Sequence, residues 1–369
     1  MGNIGAVILS AGRSARQNGF KPALAIGRDT ALGHCMALFR KAGIEEVVVV
    51  LGHRKEELIP VVHDAGARSV INPDYESGMF SSVQAGVAEL CGSMEAFFIL
   101  PVDIPLVRGI TLEIMAQRLE VKGVDAFVPA FNGWPGHPPL LRWPMRRAIA
   151  AHDGRRGLRG VLEKAETEWV AVPDRHVLLD IDTPDLYEKA KRLWQRHGIP
   201  SRDEAEALLG WACKDRPDVV RHCRAVCTLA KKMAEAVNEV SPAALDLDLV
   251  AAGAILHDIA KGSPGHAAAG AEMLRKWGFS ESLCRIVSLH LDWEPEEGMP
   301  VTEPEVVYLA DKLVQEGRPG SLHERYRPKY DLYPDKPGAR QAVMRRWQQA
   351  QAVCSRVEHA MKRPMEDLL

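Results

Sequence analysis

The run Leu9-Ser10-Ala11-Gly12-Arg13-Ser14-Ala15-Arg16-Gln17-Asn18-Gly19-Phe20-Lys21-Pro22 has the residue types needed to receive an anion. Ala11 and Gly12 carry almost no side chain, so their N–H groups can face a ligand, while Arg13, Arg16 and Lys21 bring three cations into the same loop. A solvated basic turn would explain the cations alone, but not small residues set directly behind an apolar run. Two nucleotide motifs are excluded. Six residues separate Gly12 from Gly19 and Pro22 follows Lys21, which is not a Walker loop, and Gly-x-Gly-x-x-Gly is absent.

Three other segments could complete this site. Asp103, in Leu100-Pro101-Val102-Asp103-Ile104-Pro105, follows an apolar run and suits Mg2+ held against a triphosphate, although strand-Asp-x-Pro also makes ordinary turns. Asp180 and Asp182, in Asp180-Ile181-Asp182-Thr183-Pro184, could give a second metal contact or simply cap a helix. Ser81 and Ser82 open a polar helix start, within Asn72 to Val83, whose amides suit a phosphate; a plain capped helix reads the same way.

A second constellation lies far downstream: His222, then His257-Asp258 with Lys261, then His266, His290 and Asp311. Taken singly, each histidine reads as a packed or solvated residue. As an ordered set, four helical imidazoles with two carboxylates supply nitrogen and oxygen ligands that suit Mn, Fe, Ni or Zn.

The elements that must position these residues fall into two classes. Ile4 to Leu9 reads as a buried parallel strand, which puts the anion loop at a strand's carboxyl end. Further strands are expected at Val47–Leu51, Ser69–Ile71, Ala96–Leu100, Ala126–Pro129, His137–Leu141 and Val177–Ile181. Helices are expected between the early ones, the layout of a doubly wound, mostly parallel α/β sheet. After Gly198-Ile199-Pro200 the periodicity turns helical, with helices expected at 218–240, 245–259, 267–277, 283–291, 304–315 and 339–361. Arg318 to Gly338, with four prolines and three tyrosines, reads as an ordered loop. The expected organisation is an α/β domain over 1–197 and an all-α domain over 201–369, with the metal-site core at about 216–316.

At 369 residues and 46% hydrophobic, the chain is long enough for two cores. Lys and Arg number 47 against 49 Asp and Glu, so no global pull toward nucleic acid or an anionic membrane is expected. The seven cysteines are scattered without a Cys-x-x-Cys pair, which points to reduced thiols and a cytoplasmic setting. A signal peptide and a membrane span are not expected, since no apolar run approaches about 18 residues.

The first domain's segments resemble the nucleotidyltransferases that attach a nucleotide to the molybdenum cofactor, particularly the cytidylyltransferase branch. That family's motif, Leu-x-Ala-Gly-x-Ser-x-Arg-x-x-x-x-Lys, is met at its spacing by Leu9, Ala11, Gly12, Ser14, Arg16 and Lys21. The likeness continues through Asn72 to Ser82, Asp103 and Pro105, Gly136-His137-Pro138 and Asp180 to Pro184. It departs where Gln17-Asn18 replace the usual Met-Gly and where Ile104 follows the aspartate. The resemblance implies a Rossmann-like fold and a nucleotide site made by Leu9, Ala11, Gly12, Arg13, Ser14, Arg16, Lys21, Ser81 and Ser82. Within it Ala11 and Gly12 meet the base, Arg16 and Lys21 the triphosphate, and Asp103 the Mg2+, with Asp180 and Asp182 as a further metal contact. It also implies CTP as donor, because Ala11-Gly12 stands where the guanylyl branch has Gly-Gly. The implied acceptor is of molybdopterin type, and an acceptor molybdoenzyme or its chaperone is the implied protein partner. A sugar- or alcohol-phosphate acceptor remains open, since such a phosphate loop serves those substrates too.

The helical domain resembles the HD-domain metal-dependent phosphohydrolases, whose His, His-Asp, Asp order is met by His222, His257-Asp258 and Asp311. His266 and His290 stand where dinuclear members keep extra histidines. The resemblance implies Asp258 bridging two metals, with His222, His257 and Asp311 on one side and His266 and His290 on the other. Mn2+, Fe2+ or Ni2+ is the implied cofactor, and Lys261 is placed to steady a substrate phosphate. A regulatory HD domain that binds metal without turnover is the alternative.

Overall fold

The computed structural model describes residues 3–13, 19–92, 94–240, 244–293 and 298–369. The chain divides into two compact units, Met1–His197 and Gly198–Leu369.

The first unit is organised on an eight-stranded sheet. Its strands are β1 (Ile4–Ser10), β2 (Val47–Leu51), β3 (Arg68–Ile71), β4 (Ala96–Pro101), β5 (Ala126–Phe131), β6 (Trp134–Pro135), β7 (Leu140–Arg142) and β8 (Thr167–Ala171). Their order is β8-β5-β7-β4-β1-β2-β3, with β6 pairing β5. β1, β2 and β4 are buried along their whole length, as unbroken apolar runs must be when both faces of a parallel sheet are covered. β1 pairs in parallel with β2 on one side and β4 on the other. Chain order therefore reverses at β1, and the loops leaving β1 and β4 open side by side, the crevice where sheets of this kind bind ligands. The helices α1 (Ala31–Lys41), α2 (Lys55–Asp64), α3 (Met79–Glu89), α4 (Gly109–Gln117), α5 (Met145–Ala151), α6 (Gly157–Leu162) and α7 (Pro184–Gln195) accompany the sheet. α3 lies close over β1, where a Cβ added to Gly86 would come within 2.4 Å of Val7 and 2.6 Å of Val50.

Three expectations change here. Val177–Ile181 is not a strand: a 3-10 turn covers Arg175–Leu178. The Asp174 carboxylate turns the chain by accepting from the His176 N–H at 3.0 Å. The expected strand from His137 shrinks to β7, which runs antiparallel to both β4 and β5. Pro138 and Pro139 have no N–H to give a ladder, and the His137–Pro138 peptide is cis. β8 went unexpected because its Thr-Glu-Trp-Val-Ala run lies at the sheet edge with most side chains outside the core.

The second unit is helical: α8 (Arg202–Ala212), α9 (Pro217–Val240), α10 (Leu247–Leu256), α11 (His266–Lys276), α12 (Glu281–Leu289), α13 (Glu303–Leu313), α14 (Leu322–Asp331) and α15 (Pro337–Met361). A two-residue hairpin, Val314–Gln315 with Arg318–Pro319, is its β structure among the described residues. α10 is buried all round from Leu249 to Leu256, as expected of a helix with no polar face. Gly253 lets α12 approach it, since a Cβ there would lie 2.6 Å from Ile286. The segment expected as a loop holds α14. Ser321 and Glu324 form a reciprocal capping box that starts the helix, and this local signal outweighs the proline content. Among the described residues no helix is long and apolar enough to cross a membrane.

Candidate functional sites

A cleft of about 320 Å³ lies at the carboxyl ends of β1 and β4. Leu9, Ala11 and Gly12 line it from the β1 loop, Ser82 and Met79 from the start of α3, and Lys21, Asp103 and Asp182 from three separate loops. Backbone bonds hold these loops together: Val102 N–H donates to Leu9 O at 3.0 Å, and Ile181 N–H to Asp103 O at 2.9 Å. Lys21 Nζ is 3.3 Å from Asp103 Oδ2 and also bonds Asp182 Oδ1. Burial pushes the Asp103 carboxyl above its usual range, an effect opposed by the Lys21 charge. Two carboxylates with one ammonium leave a net negative charge on hard oxygen donors, so the residues fit a divalent cation such as Mg2+.

The α3 side is prepared by side chains. Asn72 Nδ2 donates to Ser81 Oγ at 2.9 Å and to Ser82 Oγ at 3.0 Å, while Ser81 Oγ donates to Gly78 O at 2.8 Å. Ser82 thus faces the cleft, and Ser81 serves the turn that begins α3. Arg13 lies outside the cleft lining, paired with Glu76 and with its guanidinium 6.0 Å from the Tyr75 ring centre. Ser14 and Arg16 lie outside the described residues.

Asp180 and Asp182 part company. Asp180 Oδ1 accepts from the Asp182 N–H at 3.1 Å, and its side chain lines a neighbouring cavity of about 270 Å³ together with His137, Ile104 and Leu178. Asp182 borders both spaces. Burial pushes the His137 imidazole down to about 4, so it is neutral at pH 7.

In the second unit, His222 on α9, His257 and Asp258 at the end of α10, His266 at the start of α11, His290 at the end of α12 and Asp311 on α13 converge. They form two triads, His222–His257–Asp311 and Asp258–His266–His290, each with its potential ligand atoms within 4.8 Å of one another. Asp311 Oδ1 is 3.0 Å from His222 Nε2 and 3.8 Å from His257 Nε2. Asp258 Oδ1 is 3.1 Å from His266 Nε2 and 3.4 Å from His290 Nε2, and its Oδ2 is 3.7 Å from His257 Nε2. Asp258 therefore touches both triads.

The imidazoles are oriented as ligands. Nδ1 of His257 lies 2.8 Å from Ala254 O, and Nδ1 of His290 lies 2.6 Å from Val287 O. A carbonyl can only accept, so each Nδ1 carries a proton, which leaves Nε2 as the ligating nitrogen. The buried Nε2 atoms of His257, His266 and His290 have no hydrogen-bond partner. Burial pushes His257 down to about 4 and lowers His266 as well, so these rings are neutral at pH 7. Burial opposes ionisation of Asp258, but the closeness of His290, His257 and Lys261 outweighs it and holds the carboxyl well below its usual range. Buried imidazole nitrogens without hydrogen-bond partners beside carboxylates are a donor set that suits a transition metal.

Lys261 is half in solvent with Nζ 3.0 Å from Asp258 Oδ2. Two cations here were missed in the sequence. Lys312 bonds Asp311 Oδ2 at 2.7 Å, and Arg325 donates to Asp311 O at 2.8 Å. Lys312 adjoins Asp311 and could have been weighed with it, whereas Arg325 sat in a segment read as loop.

Comparison with known proteins bears on both units. Residues 6–169 match the family described as the MobA-like NTP transferase domain, and residues 219–315 match the HD domain. The chain is 28% identical over 196 residues to the molybdenum cofactor cytidylyltransferase of Escherichia coli (strain K12), a match covering 52% of this chain and 97% of that protein. It is 32% identical over 128 residues to an uncharacterized protein of Methanocaldococcus jannaschii, covering 30% of this chain and 74% of that one. A crystal structure from Mycobacterium tuberculosis H37Rv aligns at a TM-score of 0.45 and 25% identity, covering 52% of this chain and 98% of that one.

Proposed function

We propose, from the premise that this chain belongs to the MobA-like NTP transferases in its first unit and to the HD-domain proteins in its second, a two-headed enzyme with separate metal requirements. The first head is a nucleotidyltransferase. In our reading it moves CMP from CTP onto a molybdopterin-type phosphorylated acceptor and releases pyrophosphate. The second head hydrolyses a phosphate ester or anhydride.

The observation that carries the first part is the meeting of Lys21, Asp103 and Asp182 in one cleft beside Ala11 and Gly12. The amides of the Ala11-Gly12 turn and Ser82 receive the nucleotide. Lys21 neutralises the charge that builds on the leaving pyrophosphate, a role the sequence motif also gives Arg16. Asp103 and Asp182 are the residues to hold Mg2+, which when bound draws charge from the phosphates, and Asp180 steadies the Asp182 backbone. The buried Ala11 methyl narrows the base site and favours a pyrimidine. Pyrophosphate release measured with each of the four nucleoside triphosphates and Mg2+, with and without molybdopterin, tests this. Release is expected with CTP and to depend on molybdopterin; GTP turnover equal to CTP, or release indifferent to molybdopterin, overturns the substrate assignment.

For the second head the supporting observation is the set of unpartnered Nε2 atoms on His257, His266 and His290. Asp258 bridges the two triads, and Mn2+, Fe2+ or Ni2+ is the expected occupant, since Mg2+ takes imidazole poorly. Lys261 is the exposed cation nearest Asp258, suited to a substrate phosphate. Metal analysis of the full chain, followed by hydrolysis assays on nucleotides, dinucleotides and phosphate esters after loading with Mn2+, Fe2+ or Ni2+, tests this part. Tight metal binding without hydrolysis would favour a regulatory domain instead.

A further inference from the structure

We infer that Lys312 is a positioning residue that sets the geometry of one metal triad against the other, an inference resting on the dinuclear reading of the second unit. Lys312 is 5% exposed, a depth at which a lysine is rare unless its ammonium is fully engaged. Its Nζ donates to Asp311 Oδ2 at 2.7 Å and to the main-chain carbonyl of His290 at 2.8 Å. These two acceptors belong to different triads: Asp311 stands with His222 and His257, and His290 with Asp258 and His266. One ammonium therefore ties the end of α12 to α13 across the centre. The Tyr308 ring, one helical turn earlier, lies 4.7 Å from Nζ and gives the charge a polarisable wall.

Two consequences follow for the ligands. With Oδ2 of Asp311 held by Lys312, the oxygen turned toward His222 and His257 is Oδ1, at 3.0 and 3.8 Å, so Asp311 is prepared to bind through one oxygen. Arg325 secures the same residue from behind through its main-chain oxygen at 2.8 Å. His290 is held twice over, its Nδ1–H by Val287 O at 2.6 Å and its own carbonyl by Lys312. The ring and backbone that aim its Nε2 toward Asp258 are thus fixed relative to Asp311. Lys312 ligates nothing itself; it decides whether two occupied sites share the bridging Asp258 at a constant spacing.

The test uses the full chain with Lys312→Gln and Lys312→Met, each loaded with Mn2+ and compared by bound-metal count, electron paramagnetic resonance and circular dichroism. Both side chains are one atom shorter than lysine: Gln keeps polar hydrogens, whereas Met keeps an apolar stem and loses every donor. The wild type is expected to bind two Mn2+ with an exchange-coupled spectrum. Lys312→Gln is expected to fold, to retain at least one Mn2+, and to lose the coupled signal in favour of isolated Mn2+, with hydrolysis at least tenfold lower. Wild-type protein without transition metal would overturn the dinuclear reading itself. Two coupled Mn2+ ions in folded Lys312→Gln or Lys312→Met would overturn the role given to Lys312 while leaving that reading intact. Failure of both variants to fold even with saturating Mn2+ would also overturn it, making the lysine a requirement of the core.

Discussion

In the first unit the carboxylates of Asp103 and Asp182 stand on loops, a lysine lies between them, and the space beside them is an open cleft. In the second, the ligating groups stand on helices or their end turns, and backbone carbonyls fix the rings of His257 and His290. The first cleft offers few carboxylate oxygens, and a Mg2+ held there would take the remainder of its shell from substrate phosphates. The second offers a nearly complete set of imidazole and carboxylate atoms before any substrate arrives. On the proposed reading, a metal that travels with its nucleotide and a metal that resides in the protein would call for these two constructions.

The sharpest way to break this contrast is to remove one carboxylate from the first centre. Asp103→Ala should lower nucleotidyl transfer by at least about a thousandfold, the several kcal/mol that a Lewis-acid contact supplies. Its metal content in the helical unit should equal that of wild type. Normal transfer in the purified variant would show the cleft to be misassigned.

The converse changes, His257→Ala and Asp258→Ala, should empty the second centre of transition metal and abolish hydrolysis, while transfer from CTP survives. Elemental analysis and parallel assays on the same preparation check this. Loss of both activities together would mean that the two centres are not independent.

A smaller effect probes base choice. Ala11→Gly should raise GTP use relative to CTP by about tenfold, the lower end of what one buried methylene contributes to discrimination. An unchanged ratio of kcat/KM values would move the selectivity elsewhere.

The gentlest test uses acid. In the first unit the fully buried Asp174 accepts hydrogen bonds from Arg108 N–H at 2.7 Å and Thr111 Oγ1 at 2.8 Å, linking the loop after Asp103 to the turn before Asp180. Burial works against its ionisation, but His176 and Arg108 hold the carboxyl well below its usual range. Burial, aided by Arg108, pushes the His197 imidazole down to about 3. His197 stabilises fully above its unfolded pKa of about 6.5, and Asp174 above about 3.9; both contributions fade as pH falls toward the folded values. Thermal unfolding followed from pH 7 to pH 2 should therefore show a falling Tm for the first unit, with a shallower slope below about pH 4 in Asp174→Asn. A Tm that rises on acidification would contradict the sign.

Much of this protein was legible before folding. Unbroken apolar runs announced β1, β2 and β4, and helical periodicity announced α9 to α13, because burial imposes those patterns whatever the detailed packing. The His222, His257-Asp258, Asp311 order was legible from residue type and spacing, and the structure brings these residues together. Other features depended on short-range side-chain caps that hydrophobic periodicity does not register. Val177–Ile181 looked like a strand, but the Asp174 carboxylate, accepting from the His176 N–H, starts a 3-10 turn just before it, and the Arg318–Gly338 prolines hid a helix started by Ser321 and Glu324.

The sequence by itself determined the two classes of unit, since composition and periodicity carry that information locally. Tertiary structure alone decided that Asp182 meets Lys21 while Asp180 turns to the neighbouring cavity, and that Lys312 spans Asp311 and His290. Neighbouring residues in the chain point differently once packed, and no local pattern states which distant group a buried charge will find.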